Sequence, residues 1–398
     1  MTSRELLMML KNNLGFSKGV SRQWEAQFAV QGAKIGANLQ IRNTPRHAVQ
    51  SGAPFSAENY TEEYVTLVVN QQKHIDVEML STELTLSMDD WSRRVARPGG
   101  TRLANEIDKD GLMCYAQVAN SVVSPTDATQ KFYQYNLAHA ILLKAGAPMD
   151  GDFYVCLEPL ENAAVVNSNR GLFQSSERIK EQYEEGIMGR MTGADWVVDQ
   201  NVAAHTTGQR GGTPVVAGAG QTGSSLNTSG WTAAIAVRLN AGDVIQLAGV
   251  YATNPQTLQS TGRLRDFVVT APASSSGTGT ATLQISPPII LPPDPRATVT
   301  AGPADLAEIT FTGTASTTYA QNLFYHKDAF TLAVVPMILP FSGQASRADD
   351  PEFGASLRVW RDSNIATDTH PARTDVLYGW LAQHPELACR VWSTPGVS

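Results

Sequence analysis

Charged side chains are scarce in this chain. Asp, Glu, Lys and Arg make up 17% of its 398 residues, below the quarter or so usual for soluble domains. With 42% hydrophobic residues there is apolar material for real cores. The missing charge therefore points to a surface largely covered by something, or to one rich in Ser, Thr and Gly loops. Cysteine is nearly absent: Cys114, Cys156 and Cys389 stand far apart in apolar surroundings. Lacking a C-x-x-C pair, they exclude a zinc ribbon or disulfide scaffold and read as buried free thiols with a reducing, intracellular history. No apolar run reaches the roughly 18 residues that a membrane-spanning helix needs. The first turns carry Arg4, Glu5 and Lys11 and no small-residue cleavage site, so no signal peptide is expected.

Signatures of catalysis are missing as well. The seven histidines, His47, His74, His139, His205, His326, His370 and His384, are dispersed and form no H-x-x-x-H pair, so no helical metal site is expected. His326, beside Lys327 and Asp328, is the most tempting, and a core histidine or capped turn is its simpler reading. Residues 186–193 (GIMGRMTG) match no phosphate loop, because no apolar strand leads into them. Gly15-Phe16-Ser17-Lys18-Gly19 has the letters of a nucleophile elbow but follows a helix. Asp89-Asp90 and Asp349-Asp350 could bind a cation, though helix or strand caps explain them as well. Arg93-Arg94-Val95-Ala96-Arg97 could meet an acidic neighbour or simply form a solvated edge. No catalytic, cofactor-binding or metal-ligating residue is assigned, no cofactor is expected, and the chain reads as something other than an enzyme.

Net charge is −7, which argues against binding nucleic acid by bulk charge. Its distribution is uneven. Residues 1–50 hold seven basic side chains (Arg4, Lys11, Lys18, Arg22, Lys34, Arg42, Arg46) against Glu5 and Glu25. A basic arm on an acidic body suggests a partner or neighbouring copy of opposite sign; a solvated N-terminal helix is the plain alternative.

The length suits two to three domains. The most regular stretch is 101–122, where Leu103, Ile107, Cys114, Val118 and Val122 recur at offsets of four and seven. That stripe predicts a helical spine of roughly 33 Å. Pro98-Gly99-Gly100 stand before it and Pro125 after it. Gly111 in its middle costs about 1 kcal/mol against alanine, so packing has to hold the helix there. Upstream, 4–13 and 20–35 read as helices, 37–60 as an exposed excursion without periodicity, and 64–88 as an extended ribbon of period two. Downstream, 130–144 predicts a helix burying Phe132, Leu137, Ile141 and Leu142. Strands at 153–157 and 196–198 and helices at 160–167 and 176–185 complete a mixed α+β domain.

Composition changes near Asn201. From there to 317 the chain is Gly, Thr, Ser, Ala and Pro, with strand candidates at 231–238, 244–247, 263–270, 281–285, 298–300 and 308–311. Links such as 273–279 separate them. Six short strands between turns predict a small β-barrel or sandwich, inserted into a parent domain whose text resumes at 322. Strands at 331–337, 357–360, 376–380 and 387–391 follow, with a polar turn at 349–354.

Three phrases carry a family resemblance: 322–330 (NLFYHKDAF) leading into TLAVVPM, 374–379 (TDVLYG) with 385–391 (PELACRV), and 241–250 (AGDVIQLAGV). Their order, with the basic arm, the ribbon and the spine, resembles the coat proteins of short-tailed P22-like phages. These are major capsid proteins with the HK97-type fold and an inserted domain. The resemblance implies an α+β, HK97-like capsid fold with an N-terminal arm at 1–44, an extended loop at 45–75 and a peripheral domain with the spine at 76–124. It further implies an apical domain at 125–200 and 318–350, an inserted β-barrel at 201–317, and C-terminal strands at 351–398 shared by the peripheral and apical domains. The implied function is self-assembly into hexamers and pentamers of an icosahedral shell enclosing viral double-stranded DNA, through a scaffold-assisted precursor that expands on packaging. The implied partners are other copies of the chain, a scaffolding protein, a portal protein and, as an optional addition, a decoration protein. DNA would be enclosed without sequence-specific binding and no membrane would be involved. The location would be the virion, after assembly in the host cytoplasm. No lysine–asparagine crosslinking pair is apparent, so cohesion should be noncovalent. Three other readings stay open at this point. A portal or tail component would be another virion part, a β-rich adhesin would need a signal peptide, and a glycan- or peptide-cleaving enzyme would need convergent carboxylates.

Overall fold

The computed structural model describes residues 3–22, 37–43, 46–47, 63–80, 97–125, 130–168, 190–340, 343–350, 355–364 and 367–394. Numbered along the chain, these form four α-helices and 22 strands. The helices expected at 20–35 (beyond Arg22) and 176–185, the acidic pair at 89–90, the basic residues 93–96 and most of the 45–75 loop lie outside the described residues. The chain divides into two compact units. One comprises Met1–Arg42, Tyr64–Leu112 and Phe330–Gln383; the other comprises Asn43–Glu63, Met113–Ala329 and His384–Ser398.

In the first unit, α1 (Ser3–Asn13) turns Leu6, Leu7 and Leu10 inward. The spine, α2 (Arg97–Leu112), begins four residues ahead of the expected start. It takes Pro98 into its first turn, where the missing N–H would lack an intrahelical partner anyway. Leu103, Ala104, Ile107 and Leu112 form its buried stripe. Strands β1 (Ala37–Arg42) and β2 (Tyr64–Val69) pair antiparallel throughout, so the excursion expected from Ala37 in fact starts with a strand. Leu39 and Ile41 alternate inward and join Leu67, Val69, Ala333, Val335, Met337 and Leu377 in one core. A larger sheet runs β18 (Phe330–Val334), β21 (Thr369–Ala382), β20 (Ala355–Arg361), β19 (Gln344–Asp350), and β3 (Gln71–Leu80) pairs with β21. That last pairing is ten residues long, from Thr369 opposite Leu80 to Tyr378 opposite Gln71. Residues 64–75 of the expected loop are thus strands paired within their own unit. Asp349 and Asp350, expected in a polar turn, belong to β19, and the rest of that expected turn, 351–354, lies outside the described residues.

In the second unit the α-helical spine has given way to a 3-10 turn, Met113–Gln117, and then to β4 (Ser121–Val123). The helical stripe fits Val118 and Val122 equally well, but Val122 sits parallel to Val391 of β22 (Ala388–Ser393). Tertiary pairing overrides local period here. The central sheet runs β4, β22, β17 (Thr318–His326), β5 (Phe153–Leu157), β7 (Ala194–Val198), β6 (Arg190–Met191), and β8 (Ala204–Thr206) pairs with β17. Helix α3 (Lys131–Lys144) packs Tyr135, Ala138, Ile141 and Leu142 on Phe153, Val155, Phe324 and Val391. Leu137, expected inside, is 37% exposed; the buried face lies one azimuth over, on Ala138. Helix α4 (Pro159–Ser168) follows β5.

The inserted text folds into a near-closed barrel of order β16 (Ile309–Phe311), β12 (Val244–Thr253), β13 (Ser260–Val269), β15 (Ala281–Ile289), β10 (Gly223–Trp231), β9 (Gly212–Val216). Its ends approach each other: Val216 N–H donates to the Ala307 carbonyl at 2.9 Å, and Val215 bridges Glu308. Trp231, Leu247, Phe267, Leu283 and Val299 belong to its core. Three details differ from expectation. The stretch 231–238 is not one strand; it breaks into the end of β10, a turn and β11 (Ala236–Leu239). The link at 273–279 contains β14 (Ala273–Ser275), paired with β11. Residues 298–300 contribute only a bridge between Val299 and Ala252.

Candidate functional site

With no metal-binding cluster among the described residues, the informative places are those where buried polar groups fix one element on another. The first is on the spine. Asp108 is 1% exposed. It accepts the Gly15 N–H at 2.6 Å and the Ser17 N–H at 3.0 Å, and the Ser17 hydroxyl donates to it as well. Ser17 is therefore a buried anchor for the segment after α1, not a nucleophile. One turn on, Gly111 lies under the Trp380 indole: a Cβ there would come 2.5 Å from Cζ2. Trp380 Nε1 donates to the Ile107 carbonyl at 3.1 Å, and its ring is 5.5 Å from that of Phe16. Tyr378 donates its hydroxyl to Asp110 at 2.6 Å. Burial pushes that phenol far above its ordinary range, and the Asp110 carboxylate adds to the effect.

The same unit buries a second carboxylate, Asp375, completely. Arg358 holds one oxygen at 2.7 and 3.1 Å, and Arg373 holds the other at 2.6 Å. Charge-assisted bonds of this kind tie β20 to β21. Nearby, Lys11 of the basic arm pairs with Asp350 at 2.9 Å, and Asp349 pairs with Arg347 and accepts the Ser356 hydroxyl at 2.6 Å. The 349–350 pair is thereby occupied by its own chain. Lys18 and Arg22 cap backbone carbonyls, Arg42 covers the Tyr64 ring, and Arg4 is exposed. Lys34 and Glu25 lie outside the described residues.

In the second unit, a polar network joins the start of the insertion to the parent sheet. Asp243 accepts from His205 Nε2 at 2.9 Å, Gly208 N–H at 3.0 Å and Asn240 N–H at 2.8 Å. With the imidazole proton on Nε2, Nδ1 is left to accept the Tyr115 hydroxyl at 3.3 Å. Burial raises the Tyr115 phenol. Arg390, fully buried, donates to the Gly242 carbonyl at 2.9 Å and lies over the rings of Trp392 and Tyr115 at 5.0 and 5.6 Å. Burial lowers it to about 10. A few residues away Asp266 accepts the Ser121 N–H at 3.1 Å and pairs with Arg263 at 2.8 Å. Desolvation raises its carboxyl nonetheless. Residues 115 and 121 come from the parent, 243, 263 and 266 from the insertion.

His326 is buried and meets the Asp150 carboxylate at 3.0 Å, while its Nδ1 accepts the Asp328 N–H at 3.3 Å. It is a core histidine pinning β17 beside the turn before β5. His139 stacks on Phe324 and meets Phe153 edge-on, and burial lowers its pKa. His74 and His384 pair with Asp76 and Glu386; His47 is exposed and His370 half-buried. Among the described residues no three His, Cys, Asp or Glu side chains converge as a metal site. The three cysteines are buried and none is in a disulfide, and burial pushes the Cys389 thiol up to about 12. Sequence reasoning had no signal for Asp108, Asp243 or Asp375, since an isolated acid reads as surface until its donors are in place.

Comparison with known proteins adds the identity. No curated protein sequence matches the chain. A solved structure from Mycobacterium phage Che8 is similar over 94% of this chain and 90% of its own, with a TM-score of 0.50 at 14% identity. The capsid of Ralstonia phage GP4 is similar over 92% and 86%, with a TM-score of 0.47 at 8% identity. A virus-like particle from Pyrococcus furiosus is similar over 97% and 95%, with a TM-score of 0.41 at 10% identity. The P22 coat protein (gene protein 5) family model matches residues 50–390, across both units and the barrel. The chain belongs to the P22 coat protein family: it is a major capsid protein of HK97-like fold with an inserted β-barrel, a self-assembling structural protein.

Proposed function

We propose that this coat protein assembles as hexamers and pentamers into an icosahedral shell around double-stranded DNA, through a precursor that forms with a scaffolding protein and expands on packaging. The observation that carries the reading is the coat-protein match over 50–390. A closed shell needs one surface to meet itself in many nearly equivalent settings, which point-group symmetry supplies. A net charge of −7 suits a container, because a strongly basic wall would bind its contents and hinder release. On this reading 1–44 is the arm, 45–75 the extended loop, of which 64–69 and 71–75 pair as strands within their own unit, 76–124 the peripheral domain with the spine, 125–200 and 318–350 the apical domain, 201–317 the insertion, and 351–398 the shared strands. A portal protein at one vertex, an optional decoration protein and assembly in the host cytoplasm complete the proposal.

Electron microscopy of the chain expressed with its phage's scaffolding protein tests it. Closed polyhedral particles with six- and five-fold capsomers are expected. A chain that stays monomeric at every concentration, with and without scaffold, would refute the reading.

A further inference from the structure

Three buried nitrogen donors beside the root of the insertion have no acceptor. Arg390 and Trp392 stand two residues apart on β22, so their side chains leave the sheet on the same face, and both are fully buried. Arg390 Nη1 donates to the Gly242 carbonyl at 2.9 Å and to Gln321 Oε1 at 3.4 Å. Its Nε and Nη2, which share one edge of the guanidinium fork, have no partner, and neither does Nε1 of Trp392. The guanidinium carbon lies 5.0 Å from the centre of the Trp392 ring. Two carboxylates act on Arg390 through space, yet neither is bonded to it. Asp243 takes its donors from His205, Gly208 and Asn240, and Asp266 from Ser121, Gln246 and Arg263. Burial lowers the guanidinium only to about 10, so it keeps its charge at neutral pH. Buried polar groups are nearly always paired, and a buried charge left without compensation is strongly destabilising.

We propose that Arg390 and Trp392 form a buried site for one small monovalent anion, with chloride as its ordinary occupant. The chemistry the three nitrogens share selects the ligand. Guanidinium and indole N–H groups donate and cannot accept, so a cation is excluded. A water molecule could accept from two of them, but it brings two protons that need acceptors of their own, and the Gly242 carbonyl and the Asp243 carboxylate are already engaged. A halide accepts from every side, donates nothing, and supplies the counter-charge that Arg390 lacks. The fork would suit a carboxylate or phosphate in shape. Each of those, however, carries a substituent or further oxygens that need room and partners, and complete burial offers neither. Because Arg390 also holds Gly242, the ion would brace β22 of the parent sheet against the turn ahead of β12. It would be enclosed as the chain folds and exchange only when that region opens.

The test unfolds the full-length chain in urea at fixed total salt, with potassium chloride replacing potassium gluconate, an anion too large for an enclosed site. For one ion held by the folded chain alone, the unfolding constant should fall about tenfold for each tenfold rise in chloride above its dissociation constant. Folded chain moved from chloride into gluconate by gel filtration should retain close to one chloride per chain, read by ion chromatography. Arg390→Met replaces the cation with an unbranched apolar side chain; its midpoint should ignore chloride, and it should retain none. Trp392→Phe keeps a ring and loses the N–H. The chloride concentration giving equal protection should rise by about tenfold, the share of one hydrogen bond to a charged group. This variant decides the matter if the methionine chain does not fold. A wild-type midpoint indifferent to chloride, with none retained, overturns the proposal and leaves these donors to water. Chloride dependence that persists unchanged in the variants that fold also overturns it, by placing the ion elsewhere. Neither result touches the coat reading.

Discussion

Replacing Gly111 with alanine sets two effects of opposite sign against each other inside one helix. Intrinsic propensity favours alanine by up to about 1 kcal/mol. Against that, the new methyl carbon would lie 2.5, 2.6 and 2.8 Å from Cζ2, Cε2 and Cη2 of Trp380, where carbon atoms prefer roughly 3.5–4.0 Å. The indole would have to retreat by about 1 Å. It cannot swing away like a lysine tip, because Nε1 is bonded to the Ile107 carbonyl, the Phe16 ring packs on it, and Trp380 sits in β21 opposite Leu332. Overpacking of this kind costs about 1–3 kcal/mol, and weakening the indole hydrogen bond adds about 1 kcal/mol. The net expectation is a loss of about 2 kcal/mol. In urea denaturation with a slope of about 2 kcal/mol/M, the midpoint of the first unit should fall by about 1 M. A Trp380→Leu background supplies the control: with the ring gone, alanine at 111 should be neutral or mildly stabilising. An alanine variant as stable as wild type, or one whose loss persists without the ring, would refute the packing argument.

Two further outcomes follow from the paired carboxylates. Asp375→Ala removes the counter-ion of Arg358 and Arg373, and stranding a largely buried guanidinium should cost about 3 kcal/mol in urea denaturation; a loss under about 1 kcal/mol would contradict the account. The Asp152 N–H and then His326 hold the Asp150 carboxyl below the ordinary carboxylate value. Its contribution is therefore present above the unfolded value near 3.8 and is lost as pH falls through the lower folded value. Asp150→Asn should be less stable than wild type at pH 7, and this gap should shrink by roughly pH 2; unfolding midpoints that keep the same separation at both pH values would count against it.

Where one periodicity was unambiguous, the sequence was legible. Helix α3, strand β5 and the all-buried β18 follow directly from their apolar spacing, and the abrupt change near Asn201 leads into an all-β stretch. The misreadings have physical causes. Val118 and Val122 satisfy a helical stripe, but β-branched residues suit a strand equally, and pairing with Val391 decided the matter. Strand β10 went unseen because only Leu226 and Trp231 of its nine residues are large, buried apolar groups. The barrel core is completed by other strands, so one strand need not announce itself. Arg238 was the least legible of all: a cation next to a strand edge reads as solvent-facing until its four acceptors are brought around it.

The junction and the turn before Arg238 answer the same physical requirement. An inserted domain held only by apolar contact can rock, since such contacts are non-directional. Asp243 instead takes donors from residues 205, 208 and 240, and Tyr115 completes the chain of bonds through His205. A set of buried bonds like this is fully satisfied in only one register, and a slipped register leaves polar groups unpaired. Arg238, donating to the Thr232 and Ala234 carbonyls, does for that turn what Asp243 does for the root of the barrel. Each spends buried charge on orientation, where an apolar side chain of similar volume could have stabilised the fold as well. Orientation has little value for a subunit in isolation. It gains value in a self-assembling chain, where every copy must present the same shape.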